Sequence, residues 1–160
     1  MSEIQGRLEG EGKRFALVVS RFNELVTDRL ATGARACLRQ HGVREDDIDV
    51  IGVPGAWELP LAARRAARSG RYAGIVALGC VIRGETPHFD YVAGEAARGL
   101  GAVAREDGVP VGFGLLTTDT PEQALARAGG KAGNKGWDAA LAALEMAGLL
   151  GRLEDGGAAT

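Results

Sequence analysis

Aromatic side chains are scarce in this chain, at 5% of 160 residues: four Phe, two Trp and two Tyr. Cysteine is scarcer still. Cys37 and Cys80 lie far apart with no CxxC pair, which excludes a disulfide framework and a thiol-based zinc or redox motif. Both fall in apolar contexts and read as buried free thiols. Two histidines are too few for a His-rich metal site. Neither sign of charge dominates, with 19 Lys and Arg against 21 Asp and Glu, a net charge of −2 and a pI near 5.7. The charges are interspersed and form no basic stripe, so nucleic acid is not an expected partner. No apolar run approaches the length of a membrane span, and residues 1–12 are polar and acidic, unlike a signal peptide. The expectation is a cytoplasmic protein without a membrane partner.

What is abundant is glycine, with 25 residues. Some glycines punctuate, as at Gly42, Gly70 and Gly108, where they stop helical patterns. Others sit where apolar runs end, positions at which backbone turns sharply or approaches a ligand. Between them the chain alternates. Apolar runs at Phe15–Ser20, Ile48–Val53, Gly74–Ile82 and Val111–Leu116 read as strands. Helical patterns follow each one. The first carries Leu25, Leu30, Ala34, Cys37 and Leu38 and has Asn23 as its expected cap. The second runs over Trp57–Ser69, with Leu59, Leu61, Ala62 and Ala66 inward and Arg64, Arg65 and Arg68 outward. The third covers His88–Asp107. A short helix over Pro121–Ala128 opens on Thr120-Pro121 as cap and first position. The last helix runs from Asn134 or Lys135 to Leu150, with Leu141, Leu144, Met146 and Ala147 apolar.

Four strand–helix repeats predict an α/β fold, a three-layer sandwich with a four-stranded, mainly parallel sheet and helices on both faces, flavodoxin-like in layout. Right-handed crossovers place the helices on both faces. The chain reads as one domain over residues 1–160. Residues 1–12, with Ile4 and Leu8, form an extension able to make an extra strand, and residues 151–160 read as a disordered tail. Ligands of such sheets bind outside the carboxyl ends of the strands, and the notable side chains cluster there.

The richest stretch is Ala77–Tyr91, ALGCVIRGETPHFDY. A buried strand ends in a Gly-containing loop at a helix N-terminus, whose free N–H groups and positive dipole end suit a phosphate. Thr86 adds a hydroxyl donor, and His88 brings a group that moves protons near neutral pH. The plain alternative is helix capping, with Thr86 as cap, Pro87 first and His88 second; capping and phosphate binding are compatible. Glu85 repels an anion unless its side chain points away. Phe22, beside Asn23 at a strand end, is either core or a stacking platform for a flat heterocycle. Trp57 and Glu58 follow Pro54-Gly55-Ala56; Glu58 is either a first-turn acid favoured by the dipole or a ligand for a polyol. Arg127 is either a C-terminal cation complementing a helix dipole or a bidentate phosphate clamp. Lys135 is either solvated or placed near an anion or carbonyl.

Four segments, SRFNELVTDRL (Ser20–Leu30), VPGAWELPLAA (Val53–Ala63), the Ala77–Tyr91 stretch and RAGGKAGNKGWDAALAALEMAGL (Arg127–Leu149), together resemble the lumazine synthase family in order and register, over nearly the whole chain. The resemblance implies condensation of 5-amino-6-ribitylaminouracil with 3,4-dihydroxy-2-butanone 4-phosphate, with no cofactor and no metal. It implies ring stacking on Phe22, ribityl recognition by Ala56, Trp57 and Glu58, further substrate contacts from Asn23, Cys80, Val81, Ile82, Glu85 and Thr86, and proton transfer by His88. It implies that Phe113 and Arg127 reach the site from an adjacent subunit, with Lys135 nearby. It also implies a homo-oligomer, either a pentamer or a sixty-subunit shell, in which the N-terminal segment extends a neighbour's sheet. The short AGGKAGNKG turn favours the shell, which would be able to enclose riboflavin synthase. Two rival readings are a non-catalytic flavin- or phosphate-binding flavodoxin-like module and a structural cage with a vestigial pocket; neither needs both His88 and Arg127.

Overall fold

The computed structural model describes residues 1–156. Four parallel strands, β1 (Phe15–Ser20), β2 (Ile48–Val53), β3 (Gly74–Ile82) and β4 (Val111–Thr118), form one sheet in the order β2-β1-β3-β4. The helices are α1 (Glu24–Gln40), α2 (Leu59–Arg68), α3 (His88–Asp107), α4 (Pro121–Ala126) and α5 (Lys135–Glu154). The α/β sandwich expected from alternation is what the chain adopts.

Strand β1 explains the layering. It pairs with β2 on one side and β3 on the other and all six of its residues are buried. Its side chains alternate between faces. Phe15, Leu17 and Val19 pack with Leu30, Cys37 and Leu38 of α1 and Ala140 and Leu144 of α5. Ala16 and Val18 pack with Leu59 and Ala63 of α2 and Leu100 and Val103 of α3. A strand buried on both faces leaves little place for polar side chains, which is why its sequence is apolar from Phe15 to Val19 and turns polar only at its last residue, Ser20. Close approach of α1 and α5 depends on Gly136, where a Cβ would collide with the Leu30 carbonyl.

Helix ends follow local chemistry. The Thr120 hydroxyl accepts the Gln123 N–H at 3.1 Å and caps α4. The Asn134 side chain accepts from Gly136 and Trp137 and caps α5. Gly42, Gly70 and Gly108 take positive φ just beyond helices, as their positions suggest. The Gly-rich turn forms a small antiparallel hairpin, β5 (Ala128–Gly130) with β6 (Gly133–Asn134), in which Gly129 and Gly133 have φ of 98° and 86°.

Several expectations are corrected. The second helical segment divides: Ala56–Glu58 form a 3-10 turn, and α2 starts at Leu59, with Pro60 in its first turn. Proline lacks an N–H and is tolerated only in the first turn of a helix, so the regular α-helix has its first turn at Pro60. Leu61 and Leu25, assigned to inner faces, are 65% and 64% exposed, and Met146 is also exposed. In the first turn of α1 Val26 and Thr27 are buried in place of Leu25, ahead of Leu30, Ala34, Cys37 and Leu38. Helix α4 stops at Ala126 because the hairpin begins two residues later. Helix α5 runs on to Glu154, so residues 151–154 of the expected tail are helical; residues 157–160 lie outside the described residues. Residues 1–12 form no strand within the chain. They lie along α5, with the Arg152 Nη1 donating to the Gln5 carbonyl at 2.6 Å.

Candidate active site

The sheet order creates a switch point. Strands β1 and β3 are neighbours, yet α1 leaves β1 toward one face and α3 leaves β3 toward the other. The loops therefore diverge and open a crevice at the carboxyl ends of the strands. Asn23 spans it: its Nδ2 donates to the Cys80 carbonyl at 2.9 Å. This is not the helix cap expected of Asn23, whose side chain makes no capping bond to α1. Asn23 holds φ 63° and ψ 47°, a left-handed conformation that asparagine visits more readily than other non-glycine residues. Next to it, the backbone N–H groups of Arg21 and Phe22 donate to the carbonyls of Val53 and Pro54 at 2.8 and 3.0 Å, fastening the β1 loop to the β2 loop.

A cleft of about 660 Å³ lies among the loops after β1, β2 and β3. Of the residues singled out in the sequence, Phe22, Ala56, Trp57, Glu58, Cys80, Val81, Ile82, Thr86 and His88 line it. Phe22 and Trp57 are 70% and 58% exposed, far too open to be core. Gly55 sits between Phe22 and Glu58: a Cβ there would stand in ordinary contact with both, 3.7 Å from the Glu58 carboxylate and 4.0 Å from the Phe22 Cβ. An aromatic face and a carboxylate thus border one space. Pro54, Gly55, Gly84, Phe89, Tyr91 and Val92 also line the cleft and were not singled out. The HFDY run beside His88 was a usable signal, because helical spacing carries Tyr91 and Val92 one turn beyond His88 on the same side.

At the far wall α3 begins at His88, one residue later than capping by Thr86 would require, and Pro87 occupies the cap position without a side-chain bond. Its first turn therefore keeps N–H groups free beside Thr86 and His88. The Glu85 side chain is exposed and lies outside the cleft. Cys80 is buried, and desolvation pushes its thiol up to about 11.

Phe113, Arg127 and Lys135 do not line this cleft. Phe113 sits on β4 opposite Ala77 and is exposed. The small hairpin draws Arg127 and Lys135 together, with the Lys135 N–H donating to the Arg127 carbonyl at 2.8 Å, and the Arg127 guanidinium donates to the Gln123 carbonyl at 3.0 Å. Both side chains face outward. Among the described residues, no three His, Cys, Asp or Glu side chains stand close enough together to hold a metal ion.

Residues 12–151 match the family model described as 6,7-dimethyl-8-ribityllumazine synthase. The chain belongs to the lumazine synthase family. A protein of that name from Nitratidesulfovibrio vulgaris is 53% identical over 150 residues, covering 94% of this chain and 96% of the relative. As a lumazine synthase family member the chain is an enzyme of riboflavin biosynthesis. Among its described residues no helix is long and apolar enough to cross a membrane.

The role of Asn23 as a strut is separable from its backbone strain. Asn23→Ala loses the bond to Cys80 and keeps an unfavourable left-handed backbone, whereas Asn23→Gly loses only the bond. Asn23→Ala is expected to be the less stable variant by about 1 kcal/mol in chemical denaturation. Equal stabilities would show that the conformation at this position costs nothing.

Proposed function

We propose that this cleft binds 5-amino-6-ribitylaminouracil and 3,4-dihydroxy-2-butanone 4-phosphate side by side and promotes their condensation to 6,7-dimethyl-8-ribityllumazine. The observation that carries the reading is the union, around one crevice, of an exposed aromatic face at Phe22, a carboxylate at Glu58 and the open N-terminus of α3 with Thr86 and His88. Each matches one part of the reactants. The flat pyrimidine stacks on Phe22, with Trp57 beside it. The ribityl hydroxyls meet Glu58 and the backbone of Ala56 and Trp57. The phosphate takes the N–H groups of the loop and α3, together with the Thr86 hydroxyl.

The chemistry asks little of the protein beyond placement. The pyrimidine amine attacks the ketone carbonyl, and loss of water gives an imine. Elimination expels inorganic phosphate, and ring closure expels a second water. Every step moves protons between nitrogen, carbon and oxygen, and no electrons leave the two reactants. Holding both reactants in register contributes on the order of 7–11 kcal/mol to lowering the barrier when the geometry is good. His88, at the start of α3 and on the cleft wall, is the proton carrier. Val81 and Ile82 supply an apolar floor. Asn23 acts through the Cys80 carbonyl instead of touching substrate.

The remaining residues are placed by assembly. Arg127, Lys135 and Phe113 face outward from their own chain, and a neighbouring copy is the surface that would receive them. We assign Arg127 to the phosphate of the adjacent cleft and Phe113 to the rim over its pyrimidine. Exposed Leu25, Leu61 and Met146 fit the same picture, as apolar side chains awaiting a partner. Residues 1–12 are assigned to the open edge of a neighbour's β2, and the whole chain to a single functional domain. A cytoplasmic setting agrees with two buried, unbridged cysteines. The assembly is a closed ring of five or a shell of sixty, and we favour the shell because the hairpin turn is short. Enclosure of riboflavin synthase belongs to that arrangement.

Mixing the protein with both substrates and following lumazine fluorescence tests the activity; no product from either order of addition would overturn it. His88→Ala is expected to retain activity while slowing turnover roughly 10²-fold. Complete loss would instead make the imidazole obligatory. Arg127→Ala is expected to raise KM for the sugar phosphate while leaving KM for the pyrimidine near its original value, and an unchanged KM for both would remove Arg127 from the site. Light scattering after size-exclusion chromatography separates the ring from the shell, and a monomeric mass would contradict both.

A further inference from the structure

Arg83 follows β3 directly and does not line the cleft, yet it touches every element at its phosphate end. Its backbone N–H donates to the Thr118 carbonyl at 2.8 Å, fastening the loop to β4. Its Nε donates to the Asp119 carboxylate at 3.1 Å. Its Nη1 stands 3.6 Å from the Asp90 carboxylate. Its guanidinium lies 4.4 Å from the centroid of the Phe89 ring. Asp90 and Phe89 belong to the first turn of α3, and Phe89 lines the cleft next to His88. Asp119 is itself fixed, since its N–H donates to the Gln123 Oε1 at 2.8 Å, and the Gln123 carbonyl accepts from Arg127 at 3.0 Å.

We infer that Arg83 is a positioning residue for the anion-binding end of the cleft: it holds the first turn of α3, with Thr86 and His88, at a fixed orientation to β4 and to α4, beyond whose end Arg127 stands. The inference rests on the cleft reading given under Proposed function. The contacts require arginine. A planar guanidinium can stack on a ring while its edges serve two carboxylates, and a lysine ammonium cannot do both. Stability does not account for them, because half-exposed ion pairs of this kind contribute little to folding. They fix direction in a loop that otherwise has freedom, as Gly84 has nothing within 4 Å of where a Cβ would stand. The anion site is made of backbone N–H groups whose aim depends on that loop, so small rotations of α3 would be felt at the phosphate.

The test compares the assembled wild-type protein with Arg83→Met, Arg83→Lys and Asp119→Asn, using two readouts. The first is calorimetric affinity for inorganic phosphate, which needs no turnover. The second is steady-state kinetics with both substrates. Arg83→Met is expected to weaken phosphate binding and raise KM for the sugar phosphate roughly tenfold, with KM for the pyrimidine and the thermal midpoint unchanged. Asp119→Asn should move the same quantities in the same direction, and Arg83→Lys should recover only part of the loss. Unchanged phosphate affinity in both Arg83→Met and Asp119→Asn overturns the inference, as does an equal loss for both substrates accompanied by a lower thermal midpoint. If Arg83→Met fails to fold, Asp119→Asn decides alone. A wild-type protein that forms no lumazine, while its variants still lose phosphate affinity, would sink the catalytic reading and uphold the role of Arg83.

Discussion

The bond from Asn23 to the Cys80 carbonyl is the constraint on which the candidate site depends. It crosses between two strands whose following helices depart to opposite faces, the place where a parallel sheet has least to hold it closed. On one side it sets the loop that presents Phe22. On the other it fixes the end of β3, from which the Arg83–Pro87 loop and α3 continue. The left-handed backbone of Asn23 is part of the same device. Only a turn that tight lets the side chain reach back across the sheet before α1 begins, and asparagine combines tolerance of that turn with an amide able to donate.

The division between core and site follows from this. Inside the sheet, alternation of β1 side chains sends Phe15, Leu17 and Val19 one way and Ala16 and Val18 the other, and both layers close almost wholly with apolar side chains. At the carboxyl ends the same strands stop and the character changes to Gly, Pro, Thr and exposed aromatics. Aromatic residues are few, and two of the most exposed, Phe22 and Tyr91, stand on the cleft. Their exposure has a cost in water, and the stacking proposed for Phe22 would relieve part of it.

Much of this was legible from residue order. Apolar runs marked all four strands, most plainly β1 and β3, which are buried along nearly their whole length and permit little else. The cap at Thr120 was readable because capping is local, while Asn134 was read only as a possible start of the last helix and proves to be its cap. Asn23 was misread for the complementary reason: its partner is 57 residues away in the chain, and no local pattern announces such a bond. The same holds for Arg83, whose partners lie on α3 and beyond β4. Leu25 and Leu61 were misplaced because helical periodicity marks an apolar position without saying whether the chain itself or another copy covers it. The chain's own coordinates leave Phe113, Arg127 and Lys135 outside the cleft, and only the family resemblance ties them to it.

Cys80 has a chemical consequence of its own. In the proposed reaction, a sulfur at the wall of the cleft is a rival nucleophile for the ketone, able to add to the carbonyl and divert it. Burial removes that rivalry. With its thiol pushed up to about 11, only about one molecule in ten thousand carries thiolate at neutral pH. The apolar packing that seals the end of β3 therefore also lowers the reactivity of this thiol, so that in the proposed reaction the amine meets little competition from it.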